Sequence, residues 1–337
     1  MDIAIDLGSD RTRFYIDGKG KVLDEASVIS YDDDTSEVYA VGDEAHAMIG
    51  KTPVGITALR PLENGVIAHQ ELCENMVTIL AREVCPVKIV MPRVVASIAC
   101  DLTEVEKRAV VNAVSAFGAR RVYLLESPKA AALGCGIDIN TPHGVFIADI
   151  GSGTADIGVM SLGGMSVSKT VRKAGRAMDE EIVKYIRKQY NLIIGENMAE
   201  SCKLAVGCVR PPAEPKTFRV KGRDAVSGLP RYVDVTGEEL IPALEETAGM
   251  IVAAIRDVLE KTPPELIGDI HSDGIYLTGG LSKLGGFARM VSEATKLRVR
   301  VHKSAADCNI MGCGRALKAI NQPVDPASGV SPIIEQF

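Results

Sequence analysis

An excess of positive charge is missing from this 337-residue sequence: 38 lysines and arginines face 44 aspartates and glutamates, leaving a net charge of −6. A polyanion site needs the opposite balance, so nucleic acid is excluded as the main partner. Long apolar runs are missing too. No stretch approaches the roughly 20 residues that cross a bilayer. The first strand starts almost at Met1, so neither a signal peptide nor an anchoring helix is expected ahead of it. Paired-cysteine motifs are also absent. The eight cysteines form no CxxC pair and sit mostly in apolar or helical contexts. They read as reduced core thiols of a cytoplasmic protein, not as a disulfide framework or a zinc site. The five histidines are scattered without metal-ligand spacing and read as structural. What remains, 46% hydrophobic and 24% charged, is a soluble globular composition, and the length suits two domains.

The stretch with the most chemistry is Phe146 to Val159, FIADIGSGTADIGV. An apolar run meets Asp149, Ile150 and Gly151, a small polar tip of Ser152, Gly153 and Thr154 follows, and alternation resumes at Ile157 and Val159. The pattern predicts a β-hairpin. Glycine lets successive backbone N–H groups turn toward one point, and such a nest holds anions. The carboxylate at the strand end can hold a magnesium ion, or its water shell, beside a phosphate. One such hairpin is a weak signal, because glycine-rich tips close hairpins of every kind. The signal grows with an echo. Ile3 to Asp17, IAIDLGSDRTRFYID, repeats the apolar run, the Asp-x-Gly turn at Asp6 and Gly8, the polar tip and the return strand. Two copies suggest duplicated domains facing each other across a nucleotide's phosphates. A third glycine turn, at Gly279 and Gly280 within IYLTGGLSKLGGF, can place backbone beside an adenine base.

Along the chain the pattern predicts a strand at Val22 to Ser30 and an acidic loop to Glu37. A short strand and helix follow to Gly50, then a loop over Thr57 to Ile67. A helix over Glu71 to Val84 leads through an apolar loop into a buried strand near Cys100. Thr103 and Glu106 form a capping box opening a helix, Val122 to Leu125 is a strand, and Pro128 opens another helix. This alternation implies a mostly parallel sheet covered by helices, an α/β class. Past the second hairpin come helices from Met178 and from Gly195, a proline-rich loop to Pro215, and a hairpin over Phe218 to Val235. A long helix from Glu238 to Lys261 ends at Pro263 and Pro264. The last elements are a helix near Phe287 to Thr295, a strand at Arg298 to His302 and a helix near Ile310 to Ile320. The tail holds Ile333, Ile334 and Phe337, which can dock elsewhere.

Through KGKVLDEASV, LTEVEKRAVV, YIRKQYNLIIGE, VKGRDAVSGLPR and VLEKTPPELIGDI, the chain resembles the bacterial actin-like MreB family over roughly residues 2 to 321. The resemblance implies the actin-like ATPase fold: two ribonuclease-H-like domains, four subdomains and a central cleft for ATP and Mg2+. Domain I would comprise residues 1–145 and 315–337 with an insert at about 33–60. Domain II would comprise 146–314 with an insert at about 180–242. Carried across, Asp6 and Asp149 would sit at the magnesium. Gly8, Ser9, Asp10 and Arg11, with Gly151, Ser152, Gly153 and Thr154, would hold phosphates. Thr154 would place the attacking water, Gly279, Gly280 and Leu281 would border the adenine, and Glu196 with Lys203 would face the ribose. The implied role is self-assembly into filaments on the inner face of the cytoplasmic membrane that organise wall synthesis and rod shape. Paralogous filaments and wall-synthesis membrane proteins are the implied partners.

The departures point to slow chemistry. The family motif after the Val122 strand reads Glu-Pro, its glutamate activating the lytic water, and here it is Ser127-Pro128. Glu126, one residue earlier on an extended segment, points the other way. A general base contributes about 10²- to 10⁴-fold, or roughly 3–5 kcal/mol of barrier. Weak hydrolysis is therefore expected unless another group supplies the water contact. The first phosphate loop reads Ser9-Asp10-Arg11-Thr12 where the family has Thr-Ala-Asn-Thr. Either Arg11 reaches a phosphate, or both charged side chains face solvent and only backbone touches the ligand. Leu281 replaces a glycine and should tighten the base pocket. The apolar loop Val84 to Met91 either inserts shallowly into a membrane interface or simply begins the next strand. Beside the filament reading, a chaperone-like ATPase would call for a substrate-binding domain after Ile320, which is not expected here, and two further alternatives stand. One is a regulatory paralogue that binds ATP and co-assembles with another filament. The other is a small-molecule kinase, whose substrate base and insertions are not visible.

Overall fold

The computed structural model describes residues 2–85, 91–318, 320 and 335–336. Most of the apolar Val84 to Met91 loop falls outside the described residues, as do Ile333, Ile334 and Phe337.

Two sheets of the same design form the frame. In the first, Asp2–Leu7 is central. Arg11–Ile16 and then Gly20–Ala26 pair antiparallel on one side, and Arg93–Ile98 and then Arg121–Glu126 pair parallel on the other. In the second, Val145–Ile150 is central. Ala155–Ser161 and Gly164–Val171 lie antiparallel on one side, and Ile275–Thr278 and Val299–Val301 lie parallel on the other. Strand for strand, order and direction are repeated. Both central strands are covered on both faces, which is why they read as near-continuous apolar runs. Arg11–Ile16, half-covered, alternates instead. Glu335–Gln336 adds a short antiparallel pairing at the Arg121–Glu126 edge.

Helices close the outer faces. Gln70–Val84 packs beside Glu104–Ser115, whose expected Thr103–Glu106 capping box is formed, and both cover the first core. In the second lobe the 25-residue helix Gly237–Lys261 buries its apolar stripe on the sheet core. Each lobe carries a small extra sheet. One is Ile29–Asp32 between Val38–Val41 and Ile56–Leu59, with the helix Gly42–Met48. The other is Leu192–Ile193, Thr217–Asp224 and Pro230–Thr236, beside the helices Gly175–Tyr190 and Glu196–Val206. No helix among the described residues is long and apolar enough to cross a membrane.

Two helices join the lobes. Ser127–Cys135 leads out of the first sheet toward the second, and Cys308–Ala316 leads back. They cross where Gly134 lies on the backbone of Cys308 and Gly312 on that of Ala130, with no space for a Cβ at either crossing.

Four local expectations are corrected. The predicted Val22 to Ser30 strand is two strands, because Ser27 turns inward: its N–H donates to the Asp10 carbonyl and its hydroxyl to that of Gly8. The expected loop over Thr57 to Ile67 contains Ile56–Leu59, Leu62–Glu63 and Val66–Ile67, the first paired to Ile29–Asp32. Pro263 and Pro264 end the long helix and at once start another, Pro264–Asp273, since a first-turn proline loses no hydrogen bond. Gly164–Val171, part exposed at a sheet edge, has no counterpart in the expected elements.

Candidate functional site

The two hairpins meet tip to tip. Each tip closes alike: the Gly8 N–H donates to the Arg11 carbonyl at 3.1 Å, and the Gly151 N–H to the Thr154 carbonyl at 2.8 Å. A Cβ added to Gly153 would stand 2.5 Å from Ser9 Oγ, so the two tips touch across the lobe boundary. Ser9 Oγ also accepts from the Gly65 N–H at 3.0 Å.

Behind the tips lies a cavity of ≈ 400 Å³, within the usual range for small-molecule sites. Asp6, Gly8, Ser9, Asp10 and Arg11 line it from the first lobe, together with Ser127. Asp149, Gly151, Ser152, Gly153, Thr154, Lys203, Gly279, Gly280 and Leu281 line it from the second. Glu196 does not. Its carboxylate accepts from Arg60 Nη1 at 3.0 Å and pairs with Arg176 at 3.3 Å. One turn further along that helix, Glu200 lines the cavity beside Lys203. Lys203 Nζ is held by Asp179 at 2.6 Å and by the Gly175 carbonyl at 2.8 Å.

The two aspartates occupy equivalent positions with different partners. Asp6 lies opposite Arg13 in its hairpin, accepting from Arg13 Nη1 at 3.3 Å and from Ser97 Oγ at 2.6 Å. Asp149 lies opposite Asp156 and accepts from Thr278 Oγ1 at 2.7 Å and Asn309 Nδ2 at 2.9 Å. Asp6 is neutralised by its cross-strand neighbour and Asp149 is not. Burial, with the charges of Asp156 and Asp6, pushes the Asp149 carboxyl up to about 7. Asn309 Oδ1, beside it, has no hydrogen-bond partner. An uncompensated buried carboxylate and an orphaned oxygen suit a hard divalent cation with its waters, so the residues present fit magnesium.

Arg11 and Asp10 line the cavity with their charges engaged elsewhere. Arg11 Nε donates to Asp24 at 2.5 Å and Nη1 to Asp43 at 3.1 Å, while Asp10 faces Arg60 at 3.8 Å. Ser127 is 7% exposed at the cavity wall. Glu126 lies outside the cavity lining and pairs with Lys129 at 3.0 Å.

Asp156 is the functional candidate that the sequence reading passed over. It is 2% exposed and lines the cavity. Its Oδ2 accepts from Thr154 Oγ1 at 2.9 Å, and its Oδ1 from Thr170 Oγ1 at 2.6 Å and from the Cys100 N–H at 3.1 Å. Burial raises its carboxyl above the usual range. The available signal was a lone acid inside an otherwise apolar strand, ADIGVMS. Arg13, Ser97 and Asn309 were missed as well, since each is defined by its contact with an aspartate, across strands for Arg13 and Ser97 and from the helix Cys308–Ala316 for Asn309.

The family model described as "MreB/Mbl protein" matches residues 1–325. The chain is 41% identical to the cell shape-determining protein Mbl of Bacillus cereus, covering 95% of this chain and 97% of that one. It is 37% identical to the cell shape-determining protein MreB of Escherichia coli K12, covering 95% and 94%. Among solved structures, MreB5 of Spiroplasma citri bound to ADP superposes with a TM-score of 0.90 at 33% identity, over 94% of this chain and 96% of that one. The architecture is thus actin-like.

Proposed function

The chain belongs to the MreB/Mbl family, and from that premise we propose that it is a nucleotide-binding actin-like protein that assembles into filaments and helps set cell shape. The observation carrying the reading is that Asp6 and Asp149, from matching hairpins of two lobes, line one cavity. The MreB5 relative has been crystallised with ADP and with AMPPNP, which supports ATP as the ligand.

In this reading the backbone N–H groups of the two tips hold the phosphates, and Asp6 and Asp149 hold magnesium. The cation supplies neutralisation of the phosphate charge. Gly279 packs its backbone on that of Ile150, and Gly280, with open space where a Cβ would stand, leaves room for the base beside Leu281. The Thr154 hydroxyl donates a hydrogen bond to Asp156, so its lone pairs accept from a water and turn that water's oxygen toward the terminal phosphate. Ser127, the residue in place of the family's glutamate, is too short and too weakly basic to take the water's proton. Hydrolysis is accordingly slow. Peripheral membrane contact through residues 84–91 belongs to the same proposal, with Met91 at the end of that stretch 65% exposed.

Sedimentation with ATP, with ADP and without nucleotide, each with and without liposomes and alongside phosphate release, tests the reading. ATP-dependent pelleting supports it, and co-sedimentation with liposomes supports the membrane part. The substitution at Ser127 favours a second reading, a paralogue that binds ATP but enters another filament. That reading calls for nucleotide binding without self-pelleting. Phosphoryl transfer to a small molecule would mark a kinase instead.

A further inference from the structure

Beside the cleft, three side chains from separate parts of the chain converge. Cys135 ends the helix Ser127–Cys135, Cys308 begins the helix Cys308–Ala316, and His302 follows the strand Val299–Val301. The two sulfurs are 3.7 Å apart, and His302 Nδ1 is 3.2 Å from Cys308 Sγ. One ligand atom from each of the three lies within 4.8 Å of the others. Sequence spacing does not see this: Cys135 is far from the other two along the chain, and no CxxC pair is involved.

The sulfur separation discriminates between two uses of a cysteine pair. A disulfide holds its sulfurs about 2.05 Å apart. Two thiolates on one tetrahedral zinc, each at about 2.3 Å, stand about 3.8 Å apart. The observed spacing is too long for a disulfide and fits two ligands on one cation as well as it fits an S–H···S contact, and the convergence of His302 Nδ1 on the same sulfur favours the cation. We propose that Cys135, His302 and Cys308 form a site for a soft divalent cation of the zinc class, with three protein ligands and a fourth position open to water. Cys308 is buried, while Cys135 and His302 are partly exposed, which gives the ion a route in. Binding releases the two thiol protons to solvent. It also takes the His302 Nδ1 lone pair now used by the Ser304 N–H at 3.2 Å, and the Cys308 contact with the Ser304 carbonyl at 3.4 Å.

The location gives the site its consequence. The cation fastens together the two helices that carry the chain between lobes, where they already cross backbone to backbone. Cys308 is also the neighbour of Asn309, which donates to Asp149 at 2.9 Å. Occupancy stiffens this helix crossing, one residue away from the cleft.

The test is a titration of the reduced, full-length chain with Co²⁺, free of nucleotide. One Co²⁺ per chain should bind with sulfur-to-cobalt charge-transfer absorption and the intense visible bands of a tetrahedral site, and Zn²⁺ should displace it. Cys135→Ser and Cys308→Ser should each halve or abolish the charge-transfer band, and His302→Gln should weaken binding by about tenfold or more. Cys202→Ser, a buried thiol elsewhere, should leave the titration unchanged, with circular dichroism reporting the fold of each variant. No sulfur–cobalt band in the native chain, or a band persisting in the Cys135→Ser, Cys308→Ser double variant, overturns the assignment. So does a two-hydrogen mass deficit in the unreduced native chain that either single serine substitution abolishes, which would make the pair a disulfide.

Discussion

Ser9 and Gly153 touch across the lobe boundary: a Cβ on Gly153 would stand 2.5 Å from Ser9 Oγ and 2.8 Å from Ser9 Cβ. The two hairpin tips therefore have no slack between them. Gly153→Ala should force them apart and lower nucleotide affinity by at least about tenfold while the far-ultraviolet circular dichroism stays native. A fluorescent-nucleotide titration checks this.

Ser127 sits at the cavity wall at the start of a helix whose next residue is proline. Ser127 already lines the cavity, so a glutamate placed there can reach into it. Ser127→Glu should raise phosphate release by about 10²-fold, the lower end of what a general base supplies. An unchanged rate would mean that the water's proton goes to another group, and Asp156, reached through Thr154, would be the next to replace.

Burial, with the charges of Asp156 and Asp6, pushes the Asp149 carboxyl up to about 7. A cation needs the ionised form, so protons compete with it below that pH and not above. Magnesium-dependent nucleotide affinity should be level above about pH 7.5 and fall by up to about tenfold per unit below pH 7. Calorimetric titrations across that range measure it, and Asp149→Asn should remove the slope.

Arg60 is nearly covered and bridges the lobes, donating to Glu196 at 3.0 Å and facing Asp10 at 3.8 Å. Arg60→Ala should lower stability by about 1–3 kcal/mol in urea unfolding, as expected for a partly buried charged hydrogen bond. Arg172, which joins Asp101 at 3.1 Å with both side chains about a third or more exposed, should cost under about 1 kcal/mol when replaced by alanine.

The hairpin echo was legible because everything that defines it is local: a run of apolar residues, an aspartate, a glycine and a polar tip. Both lobes of the sheet design could be anticipated from it. What the sequence hid depends on partners from elsewhere. Helical spacing puts Glu196 and Lys203 on one face, but Arg60 and Arg176 capture Glu196, leaving Glu200 at the cavity. The ribose role expected of Glu196 therefore passes to Glu200 as a proposal. Ile56–Leu59 is a strand because Ile29–Asp32 offers it backbone partners, not because its own pattern demands it. Asp156 reads as an interruption in a strand until Thr154, Thr170 and the Cys100 N–H are seen around it.

The most direct test is isothermal titration of ATP, with and without magnesium, into the native chain, Asp6→Asn and Asp149→Asn. One nucleotide should bind per chain, tightly only with magnesium, and each substitution should lower the magnesium-dependent part of the affinity by about tenfold or more. Saturable binding that neither substitution alters, or no binding at all, would contradict a nucleotide held between the two hairpins.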